Sequence, residues 1–137
     1  MQDCIFCKIA KGEIPATKIY EDNDTISFLD IAPVNKGHTL VITKNHYEIL
    51  TNTPDQILNS LILATKKSAN AVVRALNAEG YNLLMNNKKV SGQIVPHIHF
   101  HIIPRFENDG FVIKLEHKKY DNNNEMIEYQ QKIRRYL

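Results

Sequence analysis

His97, His99 and His101 alternate with large apolar residues in the stretch His97-Ile98-His99-Phe100-His101-Ile102-Ile103, which is closed by Pro104-Arg105. Successive side chains of a β-strand point to opposite faces. The run therefore predicts one face made of imidazoles and one made of hydrocarbon. Alternate residues on one face lie roughly 6.5–7 Å apart, near enough for three rings to meet one small ligand. Pro104 cannot donate to a sheet ladder, so the strand is expected to end there. Half of the 6 histidines of the chain fall in this stretch, and that concentration calls for a chemical reason.

Three chemistries compete for it. One is a surface strand whose polar face happens to be histidine, although such faces usually draw on Lys, Thr, Ser and Glu. Another is a catalytic metal held by histidines two apart, with a fourth position open. The third is nucleophilic catalysis, in which a neutral imidazole attacks an electrophile while its neighbours orient it and manage protons. The surroundings favour the third. Asn86 and Gly92-Gln93 form a polar, glycine-containing edge beside the histidines, and amides with backbone N–H groups suit phosphate oxygens. No carboxylate adjoins the motif to act as the base of a metal site; Glu107 and Asp109 lie beyond the strand's end. Asp30 follows a strand and opens a loop, where it can accept from both hydroxyls of a ribose or simply cap the loop. Imidazole, with an unperturbed pKa of about 6.5, is a nucleophile at neutral pH without prior deprotonation. No catalytic metal is expected for that step.

A length of 137 residues points to one domain with a real core, and 43% hydrophobic and 23% charged residues are values of a globular protein. A net charge of +2 gives nucleic acid no electrostatic footprint to follow. No apolar run approaches the ~20 residues that span a membrane, and Met1-Gln2-Asp3-Cys4-Ile5 does not resemble a secretory signal. A cytoplasmic setting is expected, with neither nucleic acid nor membrane as partner. Cys4 and Cys7 are the only 2 cysteines. In a reducing compartment their C-x-x-C spacing reads as half a metal site or a redox pair, or as two incidental cysteines on a short helix.

The elements that must position these groups follow from pattern. Residues 4–10 predict a short helix. Lys18–Glu21 and Thr25–Leu29 are β-like runs joined by Asp22-Asn23-Asp24, a favoured hairpin turn. Residues 30–37 read as a loop, and His38–Thr43 as a third, nearly continuously apolar strand, hence a central one. The clearest helix runs from Pro54 to about Ala78, with Thr53 as its cap, Pro54 at its first position and Gln56 completing a capping box. Ile57, Leu58, Leu61, Ala69, Val72 and Leu76 recur at helical spacing, and Gly80 is the expected left-handed stop. Tyr81–Asn86 reads as a fourth strand, residues 87–92 as a polar loop and His97–Ile103 as a fifth strand. Further on, Phe111–Leu115 predicts a short strand, residues 121–124 a linker or cap, and Glu125–Leu137 an amphipathic helix. One long helix among strands predicts an α+β domain on a largely antiparallel sheet, with Ile98, Phe100 and Ile102 packed on that helix. His38 and, in its plain reading, His46 are strand-end residues bonded to backbone; His117 is expected exposed.

The alternation of His97, His99 and His101 with apolar residues resembles the histidine triad (HIT) family. Cys4-Ile5-Phe6-Cys7-Lys8-Ile9, Ile14-Pro15, Phe28-Leu29-Asp30-Ile31, Gly37-His38-Thr39-Leu40-Val41-Ile42, Lys44-Asn45-His46 and Gly92-Gln93 support the resemblance in order, nearest to its Hint-like branch of bacterial type. It implies a HIT-like fold, a five-stranded antiparallel sheet with one long helix, a short N-terminal helix and a C-terminal helix, in a single domain. The core would cover about 4–105, with 106–137 as a C-terminal extension. It further implies a hydrolase or transferase acting at the α-phosphorus of purine nucleoside phosphoramidates of the adenosine 5'-monophosphoramidate type, on AMP or GMP derivatives. Dinucleoside polyphosphate hydrolysis, and a zinc-stabilised nucleotide-binding or scaffolding module, are the alternatives. By the same resemblance His99 is the nucleophile and His101 serves the phosphate and the leaving group. Asp30 holds the ribose, Phe6, Ile9, Ile14, Phe28 and Ile31 wall the purine, and Asn86 and Gln93 lie near the phosphate. Ile94 departs from the pattern, standing where many relatives carry Ser or Thr. Cys4, Cys7, His46 and His97 form a Cys₂His₂ set whose long separations exclude an ordinary zinc finger; relatives of this type hold a structural zinc there. They are also generally homodimers, paired through sheet edges.

Overall fold

The computed structural model describes residues 3–137; Met1 and Gln2, which entered the reading of the N-terminus, lie outside the described residues. In chain order the elements are α1 (Ile5–Ala10), β1 (Lys18–Glu21), β2 (Thr25–Leu29), β3 (Thr39–Thr43), α2 (Asp55–Leu76), β4 (Gly80–Leu84), β5 (His99–Arg105) and α3 (Asn123–Arg134). The strands form one sheet in the order β1-β2-β3-β5-β4, with every neighbouring pair antiparallel. This is the expected α+β architecture.

Alternation along the central strands sorts side chains onto two faces. Ile26 and Phe28 of β2 lie opposite Ile42 and Leu40 of β3, and together with Phe6, Cys7 and Ile9 of α1 they make one core cluster. Their sequence neighbours face the other way. Val41, Ile98 and Ile102 pack with Leu61, Ala64 and Ala69 of α2, and Phe100 rests against them. On that face Ser27 and Ser68 join sheet to helix by a buried hydrogen bond of 2.6 Å. The sheet is thus a partition, with α2 on one side and α1 with the histidines on the other. Aromatic and β-branched residues suit such a pleated, covered surface.

The hairpin turn forms as expected, with Asp22 Oδ1 accepting from the backbone N–H groups of Asp24 and Thr25 and from the Thr25 hydroxyl. Helix α2 differs at both ends. Its cap is Pro54, whose extended backbone (φ −59°, ψ 143°) precedes a helix beginning at Asp55; Thr53 instead donates its hydroxyl to the Ile49 carbonyl. An acid in the first turn complements the helix dipole without a capping box. The left-handed stop is Asn77 at φ 51°, a conformation Asn tolerates, and Gly80 opens β4 instead.

Strand β5 begins at His99 rather than His97 and runs through Pro104 to Arg105. Pro104 is accommodated because β3 pairs with β5 only as far as Ile102. Past that point β4 alone continues the ladder, with Tyr81 opposite Pro104, so the missing N–H faces no strand. The Pro104 carbonyl accepts instead from Asn35 Nδ2 at 2.8 Å.

Ordered packing does not stop at Arg105. Asp109 accepts from the Arg105 guanidinium at 2.7 and 3.0 Å, from Asn35, and from the N–H groups of Phe106 and Phe111. The Arg105 pairing, with those N–H groups, holds its carboxyl well below the usual carboxylate range. The expected strand at Phe111–Leu115 does not form; from Val112 to Tyr120 the chain is exposed and without regular structure. It pairs with neither edge strand of the sheet, and β propensity alone does not make a strand. Helix α3 starts behind Asn122, whose side chain caps Glu125. His117 is exposed as expected. No helix is long and apolar enough to cross a membrane.

Candidate functional site

The histidine run divides into three separately tethered rings. His97 lies ahead of β5 and is fully buried (0% exposed). Its Nε2–H donates to the Thr43 carbonyl at 2.8 Å, which leaves Nδ1 as the lone-pair nitrogen. That atom lies 3.5 Å from Cys4 Sγ and 3.6 Å from Cys7 Sγ, and His46 Nδ1 lies 3.2 Å from Cys7 Sγ. Nitrogen and sulfur ligands of one tetrahedral zinc are separated by about 3.5 Å. The four groups therefore fit one small cation, and their ligand atoms all lie within 4.8 Å of one another. The Thr43 carbonyl supplies the outer hydrogen bond that fixes a metal-ligating imidazole. Burial pushes the His97 imidazole down to about 4. Burial, with the neighbouring Cys4, pushes the Cys7 thiol up. A neutral imidazole can ligate without losing a proton, whereas the thiols need the cation to become thiolates.

His99 faces the other way. Its Nδ1 is 2.6 Å from the His97 carbonyl. A carbonyl only accepts, so Nδ1 carries the proton and Nε2 the lone pair. The ring packs edge-on against Phe6, with centroids 5.1 Å apart. Burial lowers its pKa, partly opposed by the His97 carbonyl and the Asp30 charge, so the ring is a neutral nucleophile in form.

His101 is tied to a residue that composition and spacing did not single out. His38 is buried just ahead of β3; its Nδ1 accepts from the Val34 N–H at 3.2 Å, and its Nε2 meets His101 Nδ1 at 3.0 Å. With Nδ1 accepting, His38 Nε2–H is the donor, and the proton of His101 must sit on Nε2. His38 is thus more than a strand-end residue bonded to backbone. The signal available was its place: it opens the strand that pairs with the triad strand, close to the Asp30 loop. Asp30 Oδ2 lies 3.8 Å from His38 Nε2, while Oδ1 accepts from the Ala32 N–H. Burial, with the charges of His99 and His38, pushes the His101 imidazole down to about 4. Burial also lowers His38, against the pull of Asp30.

His99 and His101 open on a cavity of about 720 Å³. Of the expected substrate contacts, Phe6, Ile9, Ile14, Phe28, Asp30 and Ile31 line it, as do Asn86, His99 and His101. Leu40 and Val95 line it as well; both are apolar residues with no chemical signal in the sequence. Gln93 does not line this cavity. It is buried, its Oε1 accepting from the Lys88 N–H and its Nε2 donating to the Glu48 carbonyl, each at 2.7 Å. Its amide braces a loop through the oxygen and one N–H, and Gln93 lines the adjoining space beside Gly92 and Ile94. Asn86 Nδ2 makes a long 3.4 Å contact with the Gly92 carbonyl. Gly92, at φ +95°, holds the loop in a conformation L residues rarely adopt. The three triad histidines do not converge as ligands of a single metal: His97 belongs to the cysteine cluster, and His101 groups with Asp30 and His38.

A five-stranded antiparallel sheet with a histidine triad leading into β5, opposite one long helix, defines a class, and the comparisons agree with it. Residues 11–108 match the family model described as the HIT domain. The chain belongs to the HIT family. It is similar to an uncharacterised HIT-like protein of Methanocaldococcus jannaschii, 50% identical over 90% of this chain and 95% of the relative. It is 45% identical to adenosine 5'-monophosphoramidase HNT1 of Candida albicans over 74% of this chain and 70% of that protein. With adenylylsulfatase HINT3 of Arabidopsis thaliana it shares 43% identity over 78% of this chain, which spans 54% of that longer protein. Among solved structures, a HIT family protein from Bacillus subtilis superposes with a TM-score of 0.92 at 39% identity, covering 98% of this chain and 97% of that one. A zinc-bound histidine triad family protein from Mycobacterium smegmatis superposes at 0.75 with 33% identity, over 96% and 98% of the two chains. These homologues support HIT nucleotide hydrolase activity.

Proposed function

We propose that this chain hydrolyses, or transfers from, purine nucleoside phosphoramidates at the α-phosphorus through a nucleotidyl-His99 intermediate. The observation that carries the reading is the 2.6 Å bond from His99 Nδ1–H to the His97 carbonyl, which leaves Nε2 as an unprotonated nucleophile in the cavity. The nucleoside lies against the wall that Phe6 and Phe28 form together, and the ribose hydroxyls reach the Asp30 carboxylate. His99 Nε2 attacks phosphorus; the Nε2–P bond forms as the P–N bond breaks, the electron pair leaving with the amine nitrogen. The departing nitrogen takes its proton from solvent as the bond breaks, and the Nε2–H that His38 fixes on His101 donates a hydrogen bond to the phosphate. Water then attacks phosphorus, the Nε2–P bond breaks with its electron pair returning to His99 Nε2, and the proton of the water passes to solvent, balancing the one taken up by the amine. Dividing one displacement into two lowers each barrier, and fixed N–H donors meet the phosphate charge.

A second substrate reading, a mixed anhydride such as adenylyl sulfate, is supported by the similarity to the Arabidopsis adenylylsulfatase. The displacement is the same, with an oxyanion leaving in place of an amine.

Cys4, Cys7, His46 and His97 are the residues that would hold a zinc. With four protein ligands and no open position, the ion would be structural. A reducing cytoplasmic setting would keep both cysteines available to it. The free edge of β4, with Tyr81, Leu83 and Leu84 exposed, supports edge-to-edge pairing of two copies.

His99→Ala is expected to abolish turnover of adenosine 5'-monophosphoramidate while leaving AMP affinity, read by calorimetry, nearly unchanged. Full activity in that variant contradicts the reading.

A further inference from the structure

Beside the nucleotide cavity lies a second cleft, of about 490 Å³, lined in part by Glu48, Lys88, Lys89, Gly92 and Ile94. Gly92 and Ile94 belong to both, so the two spaces adjoin at that point. With a nucleoside at Phe6, Phe28 and Asp30 and its phosphorus at His99, a substituent that leaves the first space for the second passes Gly92 and Ile94, the residues that line both. The second cleft is where that substituent continues.

The lip of this cleft is held in a conformation the chain would not adopt unaided. Lys88 sits at φ +73°, ψ 158°, a region that is essentially glycine's. It is fixed by its N–H to Gln93 Oε1, by the N–H groups of Ser91 and Gln93 on its carbonyl, and by its ammonium on Glu48 Oε2 at 3.0 Å. Strained backbone persists where its surroundings over-determine it, and such positions cluster at ligand clamps. The result is a short turn, Lys89–Ser91, that carries Lys89 at the cleft. Among the described residues no carboxylate pairs with Lys89, whereas Lys88 is neutralised by Glu48. Ile94, 92% exposed between the two spaces, offers no side-chain donor there. Gln93 also lines the cleft, a neutral amide engaged by the Lys88 N–H and the Glu48 carbonyl, so among the described residues the cation there without a carboxylate partner is Lys89.

We propose that this cleft is the leaving-group subsite, and that Lys89 selects substrates whose leaving group carries a negative charge. The inference rests on the nucleotide hydrolase reading and adds to it which group the enzyme prefers to expel. The ligand chemistry is an anion, borne either by a carboxylate on the leaving amine or by an oxyacid such as sulfate. In the first case the P–N bond breaks and the electron pair goes to nitrogen, which takes a proton from solvent. In the second a P–O bond breaks and sulfate leaves as a stable anion, with no proton required.

The test compares three adenosine 5'-phosphoryl compounds: the N-linked glycine phosphoramidate, the glycinamide phosphoramidate of the same shape without the charge, and adenosine 5'-phosphosulfate. kcat/KM is measured for each with the full chain and with Lys89→Gln, Lys89→Glu and Glu48→Gln. Intrinsic differences between leaving groups cancel when each preference is expressed relative to the wild-type chain. Lys89→Gln is expected to lower the preference for anionic over glycinamide substrate about two- to fivefold, the size of an exposed charge interaction. Lys89→Glu lowers it further, to about tenfold, and Glu48→Gln, which frees the Lys88 ammonium, raises it. A shift confined to the glycine compound assigns the cleft to carboxylate-bearing amines; one confined to the phosphosulfate assigns it to oxyacids; a shift in both makes charge alone the criterion. Relative preferences that do not move in any variant overturn the proposal while leaving the hydrolase reading standing. No turnover of any of the three compounds overturns both.

Discussion

Histidine tautomers are set here by three hydrogen bonds, and those bonds distribute the work. The His97 proton sits on Nε2 at the Thr43 carbonyl, the His99 proton on Nδ1 at the His97 carbonyl, and the His101 proton on Nε2 because His38 occupies its Nδ1. Spacing presented the three rings as equivalent; it carries no information about which nitrogen a distant carbonyl engages. His38 escaped notice for the same reason, since its partner is 63 residues away in sequence. His38→Phe removes the donor that orients His101 while keeping a ring of similar size. It is expected to lower kcat on a phosphoramidate about 10²-fold, within the range for the loss of one oriented hydrogen-bond donor, with KM changed much less. A matching loss in KM alone would assign His38 to binding. The same pair gives an acid limb. His101 is held down at about 4 by burial first and by its histidine neighbours second, so its neutral, singly protonated form persists well below the usual imidazole range. Once His101 is protonated on both nitrogens, His38 Nε2–H faces an N–H instead of a lone pair. Activity is therefore expected to persist below pH 6.5, because burial lowers both His99 and His101, and to fail when the first of the two is protonated, as a kcat profile on a folded sample will show. For stability the sign is that of a depressed group. The His101 contribution is complete above the unfolded imidazole pKa of about 6.5 and is lost as pH falls from there towards the folded value.

At the scale of elements, α1 is the piece that least explains itself. It has six residues, and its cap, Cys4, makes no side-chain capping bond. Helices so short are not stable alone. Phe6, Cys7 and Ile9 bury against the sheet, and the cysteine cluster ties the helix to His46 and His97. With zinc in that cluster, α1, which supplies Phe6 and Ile9 to the nucleotide cavity, is held by metal as well as by packing. The wild-type chain purified without chelator is expected to carry one zinc per chain by elemental analysis. Cys4→Ser with Cys7→Ser should lose it and melt about 10 °C lower, corresponding to roughly 3 kcal/mol for a domain of this size. Unchanged zinc content in the double variant would move the metal elsewhere. The C-x-x-C spacing suggested half of this site, but only the sheet brings the other half to it. The strands and the long helix were readable because their periodicities are strong. Their ends were not, because Pro54, Asn77 and Pro104 take roles that depend on neighbours. Pro104 sits in a strand solely because β3 has already ended beside it.

At the scale of the whole molecule, the sheet separates stability from chemistry. One face, with Leu61 and Ile102 fully buried, packs on α2. The other carries α1, the metal ligands and the cavity. The two are coupled through β5, which presents Phe100 and Ile102 to the helix and His99 and His101 to the substrate. Binary alternation made that division legible in the amino-acid order. It left unreadable the loop from Lys88 to Gln93, whose shape comes from a strained residue and a buried amide rather than from any pattern. The exposed arm beyond Val112 was equally unreadable, since the expected strand there pairs with neither edge strand of the sheet. The account stands or falls on His99. Rapid quench of the enzyme with excess adenosine 5'-monophosphoramidate, followed by digestion and tandem mass spectrometry, reads the intermediate directly. Adenylyl mass on the peptide carrying His99, localised to that residue and absent in His99→Ala, is the predicted result. Adenylylation at another residue, or turnover with no covalent species at any quench time, would contradict it.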